Sequence, residues 1–135
     1  MAGDYGNLQV ELVAADRLVW SGEAKMVIAR TTEGDVGILP NHAPMLSLMV
    51  HGIIDVRTAD DETWIAAVDT GFLSVANNRI SILAEHAEMS HDIDLEKARL
   101  DFERCKTEGA EDSDALEKAE AAWAEARVRA AEKAS

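Results

Sequence analysis

The stretch Thr31 Thr32 Glu33 Gly34 Asp35 Val36 Gly37 Ile38 Leu39 Pro40 Asn41 His42 Ala43 Pro44 Met45 Leu46 decides how the rest of the chain is read. Two glycines, two prolines and one asparagine fall within eleven residues, and such residues specify backbone turns. Val36, Ile38 and Leu39 between them demand burial. An anchored, sharply shaped loop is expected, with a small polar tip at Asn41 and His42, and loops of that kind commonly touch another molecule. A plain sandwich corner accounts for the same residues, and His42 is then a hydrogen-bonded turn residue.

On either side of this stretch the pattern is that of strands. Leu8, Val10 and Leu12 alternate with Asn7, Gln9 and Glu11, the period of two of a strand with one wet face. After a turn at Ala15 to Arg17 the alternation resumes in Leu18 to Trp20. It continues with Ala24, Met26 and Ile28 on one face, and Ser21 Gly22 reads as a bulge or kink between the two pieces. Met45 to Met49, Gly52 to Thr58 and Thr63 to Asp69 read as further strands, the last with Trp64, Ala66 and Val68 on one face. Phe72 to Val75 and Arg79 to Ala84 are joined by Asn77 Asn78, a pair that tolerates the positive backbone angles of a tight hairpin. Short strands this dense, with no helix between them, imply two packed sheets or a flattened barrel.

Near His86 alanine and charged residues replace β-branched and aromatic ones, and the period changes to that of a helix. Leu95, Ala98, Phe102 and Cys105 form one stripe, and Leu116, Ala119, Trp123, Ala126 and Ala130 form a second. Gly109 lies in the connection, and Ser113 is placed to cap a second helix with Asp114 in its first turn. The expected architecture is therefore an all-β N-terminal sandwich over residues 1–88 followed by an antiparallel helical hairpin over 89–135. Each large buried side chain contributes roughly 1.5 to 3 kcal/mol, against roughly 1 to 2 kcal/mol per ordered residue. Such a hairpin is marginal alone and must lean on the sheet domain or on a partner.

Composition narrows the partners. A net charge of −13 over 135 residues excludes direct binding to nucleic acid or an anionic membrane surface and favours basic or neutral protein partners. The single cysteine, Cys105, rules out an internal disulfide framework. Met1 to Gly6 has neither a basic region nor an apolar run, so neither a signal peptide nor an anchor is expected. No run of about 18 apolar residues exists for a membrane-spanning helix.

Chemistry-bearing residues are sparse. His86, Glu88 and His91 carry metal-ligand side chains, but at a strand-to-helix junction they read as a polar linker. Neither a nucleophile elbow nor a Walker-type phosphate loop is present, and no second histidine or acid is placed to orient His42 as a base. An enzyme is thus the weakest reading. A free-standing β-sandwich that binds a small ligand at the Asn41 His42 tip, with a helical oligomerisation tail, stays open as an alternative.

The segment Gly34 to Pro44 resembles the Gly-x-x-Gly-Ile-Leu-Pro-x-His-Ala-Pro segment of the epsilon subunits of bacterial F-type ATP synthases. Asp69 to Val75 and Ile80 to Glu85 are similar to later strands of the same family, in order and spacing. The resemblance implies a non-catalytic central-stalk subunit that couples proton-driven rotation of the c-ring to ATP synthesis. It would bind the gamma subunit and the c-ring, peripherally at the cytoplasmic face of the bacterial plasma membrane. Glu33, Asp35, Asn41 and His42 would be the c-ring contacts. The hairpin would fold on the sheet domain or extend toward the alpha and beta subunits and inhibit ATP hydrolysis. No cofactor is required by the resemblance, but a regulatory ATP is implied by Ile93 Asp94 Leu95 Glu96 Lys97 Ala98, which is similar to the family's Ile/Leu-Asp-x-x-Arg-Ala motif. Lys97 replaces its arginine and loses the planar fork suited to phosphate. Glu88 and Arg104 fall where such subunits have contact residues, and Arg127 and Arg129 of the second helix would supply further contacts. On residue chemistry alone, Asp94 is a helix cap and Lys97 pairs with Asp101.

Overall fold

Two fourteen-residue strands, β2 and β4 in chain order, give the molecule its shape. The structure, a computed structural model, describes residues 7–108 and 115–134. The strands are β1 (Leu8–Ala14), β2 (Leu18–Thr31), β3 (Gly34–Ile38), β4 (Met45–Thr58), β5 (Thr63–Val68), β6 (Gly71–Ala76), β7 (Arg79–Ala84) and β8 (Ala87–Met89). A single 3-10 turn, Ser90–Asp92, leads to helix α1 (Leu95–Glu108), and α2 (Ala115–Ala134) follows. The Ser113 cap and the Gly109 connection lie outside the described residues, as do the side chains of Leu116 and Ala119.

The sheet order is β3-β2-β1-β7-β6-β4-β5-β8, and β2 also pairs with β4. That extra pairing closes β2, β1, β7, β6 and β4 into a ring, leaving β3 and β8 as the two free edges. The expected flattened barrel is therefore present, with β1 and β7 parallel and the other pairs antiparallel. β4 is one strand where two were expected: its first half pairs with β6, and its second half pairs with β5.

The expected kink at Ser21 Gly22 is absent, because both residues sit in unbroken register opposite Glu11 and Val10. Gly22 instead makes room for Trp20, whose ring carbon Cη2 would lie 2.9 Å from any Cβ there. The irregularity falls at Lys25, where β2 carries one more residue than β4. A one-residue bulge exchanges the two faces of a strand. Val27, Ala29 and Thr31 are consequently the buried residues beyond it, and Met26 and Ile28, expected inside, are only half-buried. At the next reversal Lys25 binds Asp61, a residue at φ 65°. The Lys25 hydrogen bond and then its charge hold the Asp61 carboxyl below its ordinary range.

Two apolar clusters result. Leu8, Val10, Leu12, Ile54, Leu73, Val75, Ile80 and Ile82 fill the barrel. The second cluster lies between the outer face of β5 and the helices, with Ile65 and Ala67 against Ile93, Ala98, Ala126, Val128 and Ala130. Both faces of β5 are thus covered, Trp64, Ala66 and Val68 facing the barrel as expected. Asp94 caps α1 as the residue pattern suggests, its Oδ1 accepting the Lys97 backbone N–H at 3.2 Å. Arg99 near the start of α1 meets Glu132 near the end of α2 at 3.4 Å, so the helices are antiparallel.

Gly71 marks the tightest point, because a Cβ there would stand 1.9 Å from the Leu83 carbonyl oxygen and 2.8 Å from the Ala84 Cα. Gly71→Ala should force β6 and β7 apart and cost about 1–3 kcal/mol, read as a lowered thermal midpoint. An unchanged midpoint would show that the two strands are less closely paired.

Candidate docking surfaces

The opening stretch is not one loop. Gly34–Ile38 forms β3 against β2, with a turn at each end, and this corrects the expected single corner. At the first turn Thr31, itself buried, donates its hydroxyl to the Gly34 carbonyl at 2.8 Å and accepts the Glu33 N–H at 3.1 Å. Gly34 follows at φ 111°, a conformation that favours glycine. At the second, Pro40 presets the backbone and Asn41 takes φ 69°, and the turn closes from the His42 N–H to the Leu39 carbonyl at 3.2 Å.

The four residues expected on one loop, with Asn41 and His42 at its tip, are therefore strung along the free edge of the sheet. Glu33 and Asp35 stand at one end of β3, about 17 and about 10 Å from Ile38 by strand rise, with Asn41 and His42 beyond it. Asp35 pairs with Arg30 at 3.5 Å, and Glu33 is exposed with no ion pair among the described residues. Asn41, though exposed, is tied to the neighbouring hairpin: its N–H donates to the Asn78 Oδ1 at 2.6 Å, and the Asn78 Nδ2 donates to its Oδ1 at 3.3 Å. Asn78 follows Asn77 in the β6–β7 hairpin, at φ 61° and 52°. This clasp fixes the edge to the body. His42 Nδ1 lies 2.7 Å from the Ala43 carbonyl, a contact within the turn. The tip is thus internally satisfied, which leaves little for a small-ligand site, and the barrel interior offers a cavity of only ≈ 10 Å³.

Sequence reasoning missed a second surface. Across the layer made by β4, β6, β7, β1 and β2, Leu48 is paired with Phe72, Phe72 with Leu83, Leu83 with Val13, and Val13 with Leu18. The row crosses five strands, about 19 Å at the usual inter-strand spacing. Leu48, Phe72, Leu83 and Leu18 are each at least half exposed, and Leu46, one pleat away from Leu48, is 73% exposed. An apolar row of this extent on an outer face marks an interaction site. A signal for it exists in the sequence: these large residues occupy the wet positions of strands whose alternate positions already fill the core.

The third surface carries the hairpin, and here the residues implied for nucleotide partly gather. Arg127 of α2 reaches Glu88 of β8, Nε to Oε1 at 2.9 Å but off the N–H axis, and its Nη1 lies 3.6 Å from Asp101 Oδ2. Arg104 Nη2 lies 3.4 Å from the other oxygen of Asp101. The others do not join them: Ile93 and Ala98 are buried in the apolar cluster, Asp94 is the α1 cap, and Lys97 is exposed. His86, Glu88 and His91 diverge as well. His86 Nδ1 meets Asp69 at 3.0 Å with its ring 5.8 Å from that of Trp123, Glu88 meets Arg127, and His91 lies edge-on to Trp64 at 5.7 Å. Among the described residues no cluster of metal-ligating side chains forms.

An edge held rigid, a bare apolar row and a pair of helices seated through alanines, with the charged groups mostly paired to one another, define a docking module with several faces. The family model for the beta-sandwich domain of the ATP synthase Delta/Epsilon chain matches residues 7–90, and the chain belongs to that family. The ATP synthase epsilon chain of Streptomyces avermitilis is 54% identical over 102 residues, covering 76% of this chain and 82% of its own length. That of Rhodococcus opacus is 46% identical over 128 residues, covering 94% and 98%. Among solved structures, a chain of the Euglena gracilis mitochondrial ATP synthase OSCP/F1/c-ring assembly superposes with a TM-score of 0.77 at 20% identity, covering 96% of this chain and 81% of that one. One from the Tetrahymena thermophila central stalk and c-ring gives 0.57 at 18%, covering 94% and 95%. At these identities the two likenesses speak of fold. No helix among the described residues is long and apolar enough to cross a membrane.

The clasp is separable from backbone strain. Asn78→Gly keeps the positive φ but removes both side-chain hydrogen bonds, so it should cost about 1 kcal/mol in urea unfolding. Asn78→Ala adds the left-handed penalty, about 1–2 kcal/mol more. An unchanged stability in Asn78→Gly would mean that the clasp contributes nothing, and equal losses in the two variants would mean that the left-handed backbone costs nothing.

Proposed function

We propose that the protein is a non-catalytic central-stalk subunit of a proton-translocating ATP synthase, held peripherally at the cytoplasmic face of the bacterial plasma membrane through its partners. The observation that carries this reading is the pair of separate docking surfaces on one rigid barrel. The apolar row Leu18, Leu48, Phe72 and Leu83 is the surface for the gamma subunit, because burial of such a row gives a permanent, slip-resistant attachment. The β3 edge, with Glu33 and Asp35 at one end and the clasped Asn41 turn at the other, is the surface for the polar loops of the c-ring. Torque passed from ring to gamma then crosses a closed barrel and a clasped edge, neither of which shears easily.

The helices supply regulation. Folded, they cover Ile65 and Ala67; extended toward the alpha and beta subunits, they would obstruct ATP hydrolysis. Nucleotide enters this reading as a regulator of the folded hairpin and not as a required cofactor, and what favours it is the convergence of Glu88, Arg104 and Arg127.

Phe72→Glu or Leu83→Glu, both at exposed positions, should leave the isolated chain folded and abolish co-purification of gamma from detergent-solubilised membranes. Retention of gamma at wild-type yield would sink the assignment of that face. Deleting residues 116–135 should leave assembly intact and raise the ATPase rate of the complex severalfold; an unchanged rate would remove the regulatory role.

A further inference from the structure

Where β5 passes into β6 and β7 into β8, a carboxylate stands between two imidazoles. Asp69 and Thr70 alone separate β5 from β6, and Glu85 and His86 alone separate β7 from β8. Backbone hydrogen bonds stitch the two corners together, from the Asp69 N–H to the His86 carbonyl at 2.9 Å and from the Glu85 N–H to the Thr70 carbonyl at 3.0 Å. The Asp69 side chain, 16% exposed, is fixed in place. Its Oδ1 accepts the Thr70 N–H at 2.7 Å and lies 2.7 Å from Nε2 of His51 in β4, which leaves Oδ2 to His86 Nδ1 at 3.0 Å. His86 is the outer member, 63% exposed, and its ring lies 5.8 Å from that of Trp123 in α2, tilted by 35°. A nitrogen this close to a carboxylate oxygen carries a hydrogen, so the proton that His86 gains goes to Nε2 and makes the ring a cation beside Trp123.

The charges around that ring do not oppose a cation. In the groove beside it Arg17 pairs with Asp16 at 3.5 Å and Arg127 with Glu88 at 2.9 Å, while Asp92 lies 3.6 Å from His91. On α2 Arg129 is held by Glu125 at 2.6 Å, and Glu85, beside His86 in the chain, has no ion pair among the described residues. We propose that His86 is a proton-operated clasp: braced by Asp69, it grips Trp123 when it takes up a proton and so fastens α2 to the barrel. Trp123 is in reach only while α2 is seated, so the contact favours the protonated ring in the seated state alone. Seating is therefore firmer below neutrality, and the gain is lost as pH rises through the range in which histidine discharges, about pH 5 to 8. The pair with Asp69 is made within the barrel, so it orients the ring whether or not α2 is seated. The clasp goes beyond the hairpin reading above and is tested on the isolated chain, so failure of the stalk assignment leaves its outcome unaffected.

Protection factors for the amides of residues 122–131, which divide out the intrinsic pH dependence of exchange, read the seating of α2 in the full chain. From about pH 8 to about pH 6, where carboxylates stay ionised, they should rise about twofold to fivefold in the wild type. The rise should follow the NMR titration of the His86 Cε1–H, with the factors of residues 72–75 in the barrel level. His86→Phe keeps a ring against Trp123 and takes no proton, and His86→Gln keeps a donor to Asp69; both should be flat. His51→Gln and His91→Gln should retain the rise. No rise in the wild type while His86 titrates, a rise that survives both His86 variants, one lost in His51→Gln or His91→Gln, or an equal change in the barrel amides would each overturn the proposal.

Discussion

The pairing of β2 with β4 is the constraint on which the remaining structure depends. Both strands are long enough to serve two layers, and their mutual register closes the barrel so that five strands have no free edge. The bulge at Lys25 lets one strand do this, because it exchanges the faces of β2 between the part that pairs with β1 and the part that pairs with β3. Without the exchange, Val27, Ala29 and Thr31 would point outward and the second layer would lose its core. Closure also decides where edges remain, and the two that do are the short β3 and the three-residue β8. Each is managed differently: β3 carries two glycines, an acidic tip and a proline turn that discourage further strand pairing, whereas β8 lies beside the Arg127 ion pair.

From this follows the separation of surfaces. A closed barrel has outer faces on both layers, and the sequence treats them unequally. One carries Leu48, Phe72 and Leu83 in register; the other carries Ile65 and Ala67 beneath alanine-rich helices. Asn78 ties the β3 edge to the hairpin between β6 and β7, so the edge and the apolar row belong to one rigid unit.

Much of this is legible in the order of the amino acids alone. Period two in β1, β6 and β7, the Asn77 Asn78 hairpin and both helical stripes follow from local chemistry, and the resemblance carried by Gly34 to Pro44 points to the family. Three features are not legible there, for physical reasons. The Lys25 bulge depends on how many residues β4 places opposite β2, which is a property of two distant segments. β8 is three residues long, too short for any period to show. A loop over Gly34 to Ile38 is the wrong expectation because glycine does not always form a turn. Here Gly34 ends one at positive φ while Gly37 sits within a strand. At the site, Glu88 and Arg127 are 39 positions apart, and no local pattern joins them to Asp101. The apolar row escapes notice for the opposite reason: its members are ordinary strand residues, informative only once the core is known to be full without them.

The hairpin's attachment differs in kind from the barrel's cohesion. Inside the barrel, leucine, isoleucine and valine side chains are fully buried, each contributing on the order of 1.5–3 kcal/mol. Beneath the helices the buried contributions from α1 and α2 are Ala98, Ala126, Ala130 and Ala131 with Val128, where each methyl is worth about 0.8 kcal/mol. Small residues let the helices approach closely, partly buried Leu95, Phe102 and Trp123 add larger apolar contacts, and charge pairs join them at the rim. Arg127 binds Glu88 and Asp101, Lys133 reaches the buried Asp55 at 3.3 Å, and Arg99 meets Glu132. Apolar contacts release gradually as an interface opens, whereas a partly buried ion pair is lost when either partner moves or is neutralised. Barrel closure makes no use of this attachment, since β2, β1, β7, β6 and β4 ring themselves without it.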